Sequence, residues 1–188
     1  MTGLRVVVAG IGNTLRRDDG AGPAIVERLE QLLSSPCRPA ITAENEVICA
    51  GPFGEPLDLL GCWDGADLAL VVDAVRSGAH PGTLTLTWVD APEGAGQPPS
   101  THGLSILDVY RLAGVLGQAP ARLALLGIEG EDFDHGEGLS QAVEEALTGA
   151  VQLALEVTRQ PSRQLPADVA GPAAASKGGV AGDQLESL

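Results

Sequence analysis

Two hydrophobic rhythms alternate along the first 160 residues. Short aliphatic runs, rich in Val, Ile and Leu, lie at 5–9, 41–48, 68–72 and 123–126. Each is too short for a helix, and such runs read as strands buried on both faces of a parallel sheet. Between them the apolar positions switch to helical spacing. Ile25, Val26, Leu29, Leu32 and Leu33 predict a helix over 20–33, with Pro23 confined to its first turn. A short helix is expected near 55–60, after the glycine-rich turn that begins at Cys49. Leu104, Leu107, Leu112 and Val115 predict the buried stripe of a helix running from 101 to 116. Val143, Leu147, Val151 and Leu155 predict a last helix from about 139 to 158.

One segment breaks the pattern. Residues 83–88 alternate Thr with Leu and Trp, the period-two signature of a strand with one wetter face. Its link back to Asp73 is too short for a helical crossover, which predicts an antiparallel strand. Together these elements predict an α/β fold. It is a three-layer sandwich: a twisted, mostly parallel five-stranded sheet with one antiparallel strand and helices on both faces. One domain is expected over 1–160. From 161 to 188 the chain is Ala, Gly, Pro and Ser without periodicity, and reads as a disordered tail.

Charge narrows the partners. The formal net charge of −14 would repel nucleic acid and anionic lipid, so neither is expected, and it suits a soluble monomer. No apolar run approaches the roughly 20 residues that cross a bilayer. Cys37, Cys49 and Cys62 form no Cys-x-x-Cys pair, which argues against a disulfide framework or structural zinc and suits a reducing cytoplasm.

The chemistry concentrates where the first strand ends, in Gly10-Ile11-Gly12-Asn13-Thr14-Leu15-Arg16-Arg17-Asp18-Asp19. The two glycines suggest a dinucleotide turn, but the third glycine of that fingerprint is replaced by Leu15, and no P-loop lysine follows. Arg16 and Arg17 suit phosphate while Asp18 and Asp19 oppose it, so a nucleotide-binding Rossmann-like domain is the weaker reading. Each acid taken singly has an ordinary role, and Asp18 is assigned to the end of the following helix and its dipole. Asp73 can be a loop residue past its strand, and His102 can simply open a helix. Taken together the picture changes. Asp19 and Asp73 follow parallel strands and should share the sheet's C-terminal edge, where α/β proteins bind ligands. With His102 they form a candidate site for a divalent transition metal. His80 and His135 read as surface residues. No Gly-x-Ser-x-Gly elbow is present, which disfavours an acyl-enzyme.

The motif at 10–22 resembles the signature of the hydrogenase maturation proteases. The similarity continues through Val71-Val72-Asp73-Ala74-Val75, Pro81-Gly82-Thr83-Leu84, the stretch from Ser100 to Val109, Leu126-Gly127-Ile128-Glu129-Gly130 and Gly138-Leu139-Ser140. It therefore spans nearly all of 4–158, in order. The resemblance implies an aspartyl-type endopeptidase that trims the C-terminus of a nickel-iron hydrogenase large-subunit precursor. Nickel would be supplied by that precursor, with no organic cofactor. Carried over residue by residue, Asp19, Asp73 and His102 match the metal-engaging positions, and Asp19 or Asp73 is the candidate general base. A non-cleaving metal-binding chaperone of hydrogenase assembly is the alternative. The chain departs from the family pattern twice. Cys49-Ala50-Gly51-Pro52 stands where many members have Asp-Gly-Gly-Thr/Ser, and Gly130 stands where many have proline. Cys49 reads as a small buried strand-end residue rather than a soft ligand.

Overall fold

A computed structural model describes residues 3–35, 45–89 and 104–160. Five strands, β1 (Arg5–Ile11), β2 (Glu46–Phe53), β3 (Leu68–Val75), β4 (Leu84–Val89) and β5 (Leu123–Glu129), form one sheet. Their order is β2-β1-β3-β5-β4. β1 pairs in parallel with β2 and β3, β3 pairs in parallel with β5, and β4 runs antiparallel to β5. The helices are α1 (Ala21–Ser34), the single turn α2 (Leu59–Cys62), α3 (Ile106–Leu116) and α4 (Gln141–Arg159). The expected mixed sheet, with its one antiparallel strand, is what forms.

The pleat divides the core into two. Val6 and Val8 of β1 and Leu68, Leu70 and Val72 of β3 pack under α1 and α4. Ala9, Ala69 and Val71, from the same strands, face the other way and pack with Leu59, Trp63, Val109 and Tyr110 beneath α2 and α3. Alternate residues of a strand point to opposite faces, so an unbroken apolar run serves two helical layers at once. Among the described residues no helix is long and apolar enough to cross a membrane.

Four expectations are corrected. The stripe assigned to α3 is its outer face: Leu104, Leu107, Leu112 and Val115 are exposed, Val115 to 81%. The buried face is Val109, Tyr110 and Ala113, with Tyr110 meeting Trp63 edge-on at 6.1 Å between ring centroids. This helix is apolar on both sides, and the seat offered by Trp63 and Leu59 selects the face that enters. α3 also starts later than expected. Ser105 and Asp108 form a reciprocal capping box, which satisfies the first free backbone N–H groups there. The third correction concerns β3, which continues past Asp73 to Val75. The paired strand β5 runs alongside it to Glu129 and extends the hydrogen-bond ladder. The fourth concerns the second strand, expected over 41–48 and followed by a turn from Cys49. Residues 41–44 lie outside the described residues, and β2 runs Glu46–Phe53 because Val8 and Ala9 of β1 pair with Cys49 and Ala50 and carry the ladder through the expected turn.

Candidate active site

β1 feeds its connection toward β2, on one side, while β3 feeds toward β4 and β5 on the other. The crevice between the C-terminal ends of β1 and β3 is thus the switch point of the sheet, where open α/β folds bind ligands. The chain leaves β1 through Gly12, whose φ of +132° is closed to most side chains, and an added Cβ would collide with the Asp19 carbonyl. A 3-10 turn over Arg17–Gly20 then leads directly into α1. α1 begins so close to the sheet that a Cβ on Gly22 would strike the carbonyl oxygens of Ile11 and Val72.

The turn carries Asp18 and Asp19 to opposite fates. Asp18 is fully buried. Its Oδ2 accepts from the backbone N–H groups of Glu131 and Asp132 at 2.8 and 2.9 Å, and its Oδ1 from that of Ser140 at 2.6 Å. Burial alone would push this carboxyl up, but the hydrogen bonds from Ser140, Asp132 and Glu131 more than offset it and hold it below the ordinary carboxylate range. Its expected role at the helix end is corrected accordingly. Gly20 is the residue that caps α1, without a side-chain hydrogen bond, and Asp18 instead ties down the loop between β5 and α4. Arg17 reinforces the tie. It adopts a left-handed backbone with φ 47°, donates its N–H to the Gly136 carbonyl at 2.9 Å, and pairs with Asp132 at 3.3 Å.

Asp19 stays half-buried, with its Oδ2 accepting from the Asn13 N–H at 3.1 Å. Asp73, also half-buried, comes within electrostatic reach of it from β3. Burial, and after it the negative charge of Asp19, push the Asp73 carboxyl up from an ordinary 3.8 to about 6, against a hydrogen bond from the Ala74 backbone. Two carboxylates therefore meet at the switch point with little to compensate their charge, an arrangement suited to a cation or to proton transfer. The third sequence candidate, His102, lies outside the described residues, as do Cys37, the loop at 91–100 and the segment from 161 onward. His80 and His135 are exposed, as expected.

Cys49 is half-buried, and burial, with Glu30 nearby, pushes its thiol up to about 11. At neutral pH it is protonated, which makes it a poor metal ligand, and it sits inside β2, paired with Val8, rather than at the expected strand end. One buried acid escaped the sequence analysis. Glu129 accepts from the Ser77 N–H and hydroxyl and from the Gly78 N–H, at 2.7 to 3.0 Å, and so fixes the loop after β3. Its signal was present in the sequence: an acid ending the apolar run Leu123–Ile128, the same pattern that singled out Asp73.

Known proteins resemble this chain in sequence and fold. The family profile described as hydrogenase maturation protease matches residues 23–157. The chain is 30% identical over 159 residues to the hydrogenase 2 maturation protease of Escherichia coli K12, covering 84% of this chain and 92% of that one. It is 34% identical over 158 residues to the hydrogenase expression/formation protein HupD of Rhodobacter capsulatus, covering 82% and 71%. Among solved structures, the hydrogenase maturating endopeptidase HybD from E. coli superposes with a TM-score of 0.66 at 29% identity, over 84% of this chain and 94% of that one. The nickel-iron hydrogenase maturation protease HycI from Thermococcus kodakarensis gives 0.62 at 25%, over 83% and 93%. The expected resemblance holds across fold and sequence, and the chain belongs to the hydrogenase maturation proteases, a family of peptide-bond hydrolases.

Proposed function

We propose that this chain removes the C-terminal extension from a nickel-loaded large-subunit precursor of a nickel-iron hydrogenase, using the precursor's own nickel for recognition. In this reading Asp19, Asp73 and His102 engage the nickel and set the scissile bond against the sheet's C-terminal edge. The observation that carries it is the meeting of Asp19 and Asp73 at the switch point, with Asp73 held up to about 6. A divalent cation arriving with the substrate would relieve that repulsion, whereas a metal-free precursor would not. Two routes to hydrolysis suit the pair. The metal can polarise the scissile carbonyl or a water, or one carboxylate can take the proton of the attacking water. Free thiols at Cys49 and Cys62 suit a reducing compartment, and we place the reaction in the cytoplasm.

The test mixes purified protein with nickel-loaded and nickel-free precursor and follows the size of the large subunit. Cleavage of the loaded form alone is the expected result. Binding without cleavage of either form would favour a metal-checking chaperone instead. A His102→Ala variant that processes precursor at the normal rate would remove His102 from the ligand set and leave the rest of the reading standing.

A further inference from the structure

A second charged feature, of the opposite sign, lies at the C-terminal end of β3. Arg16, Arg76 and Phe133, with Ala74 and Asp134, line an open cavity of about 390 Å³. That volume falls within the roughly 300–1,000 Å³ of ligand pockets. Arg16 stands three residues before Asp19 in the chain, and Arg76 directly follows β3, the strand that carries Asp73. One residue holds both cations. The Phe133 carbonyl accepts from Arg16 Nη2 at 3.3 Å, and the Phe133 ring lies 4.6 Å beneath the Arg76 guanidinium carbon. Among the described residues neither arginine is in a salt bridge, whereas Arg17, Arg28 and Arg111 each have a carboxylate partner. Two guanidiniums against the single carboxylate of Asp134 leave the cavity net positive on a chain of net charge −14.

The seat of Phe133 depends on Gly130. A Cβ there would reach within 2.6 Å of the phenyl ring, and the Gly130 N–H donates to the Val75 carbonyl at 2.9 Å. Gly130 and the two arginines are therefore linked through Phe133.

We propose that this cavity is a carboxylate-binding subsite, which receives an Asp or Glu side chain of the precursor on one side of the bond to be cut. The inference rests on the protease reading and adds a specificity device to it. A precursor would be held at two points of opposite charge, its metal at Asp19 and Asp73 and its carboxylate at Arg16 and Arg76. The planar guanidinium of Arg76, fixed against a ring, suits two parallel hydrogen bonds to such a group.

The test uses the nickel-loaded precursor with wild-type protein, Arg16→Gln, Arg76→Gln and Arg76→Lys. A parallel set of precursors has each Asp or Glu near the cleaved bond changed singly to Asn or Gln. Loss of one charge-assisted contact should raise KM roughly tenfold with a smaller change in kcat. One precursor variant should reproduce that rise with wild-type protein and add nothing further with Arg76→Gln. Arg76→Lys should recover part of the binding. An unchanged KM in both glutamine variants overturns the subsite, as does a rise matched by no precursor carboxylate. If the wild-type protein cuts nothing, the protease reading fails. A binding titration of the same variants with the same precursors then decides the subsite, and absence of binding by the wild-type protein overturns both.

Discussion

Replacing Asp73 with asparagine should make this protein more stable at neutral pH while disabling it. Asparagine preserves the shape and the acceptor for the Ala74 N–H but removes the charge that burial and Asp19 oppose. A rise from 3.8 to about 6 corresponds to about 3 kcal/mol, at about 1.4 kcal/mol per pH unit. The sign follows from proton binding. The folded protein holds the Asp73 proton more tightly than the unfolded chain, so this group's contribution falls as pH rises from 3.8 to 6 and stays low above that range. Asparagine does not titrate. The stability difference between Asp73→Asn and wild type should thus be near zero around pH 4 and reach about 2–3 kcal/mol at pH 7.5. For a domain of this size that is a rise in Tm of roughly 4–12 °C. Urea unfolding of both proteins at pH 4.5, 6 and 7.5 measures it, and the carboxylates other than Asp19, which is coupled to Asp73, cancel in the comparison. A difference that does not grow with pH, or an asparagine variant less stable at pH 7.5, would refute the reasoning.

Asp19→Ala should abolish cleavage while changing urea-unfolding stability by less than about 1 kcal/mol, since the side chain accepts one exposed hydrogen bond. The same variant removes a like charge from Asp73, and a carboxyl titration followed by NMR should show the Asp73 value moving down toward the ordinary range. Asp18→Ala should cost about 3 kcal/mol or more in urea unfolding, because three backbone N–H groups lose their acceptor at about 1–3 kcal/mol each. Asp18→Asn should cost nearly as much, since its amide turns an N–H toward donors on one side or the other; wild-type stability in that variant would contradict the assignment. Gly12→Ala should prevent soluble expression, because its Cβ has no space beside the Asp19 carbonyl.

What the sequence revealed and what it hid divide along the range of the forces involved. Strand and helix periods are local, whereas pairing with β1 overrides a local turn signal and shifts β2 from the expected 41–48 to Glu46–Phe53. The number of strands, their directions and the long helices were legible from spacing. The choice between the two apolar faces of α3 was not, because Leu104, Leu107, Leu112 and Val115 carry as strong a periodic signal as Ile106, Val109, Tyr110 and Ala113. Trp63, more than 40 residues upstream, decides between them. Asp18 and Asp19 show the same limit at the site. They are chain neighbours of identical chemistry, and the sequence alone supports a structural role for one and a functional role for the other. The partners that separate them, Glu131, Asp132 and Ser140, arrive from 113 to 122 residues away.

That separation also supplies a physical criterion for telling a fully compensated acid from an uncompensated one in this fold. Asp18 and Glu129 are the more deeply buried acids, yet each is surrounded by backbone N–H groups and held below its ordinary range. Their contribution to stability is present at neutral pH and is lost only as pH falls through their depressed values. Asp73 is less buried than either, has one backbone donor and a negative neighbour, and is pushed the other way. Solvent exposure therefore does not single out Asp73; the balance between desolvation and compensation does. A fold that satisfies two of its buried acids so fully and leaves a third opposed by Asp19 concentrates its electrostatic strain at one place, the crevice between β1 and β3. A cation carried in by a substrate would relieve it there, and the adjoining arginines would meet an anion a few residues along the same polypeptide.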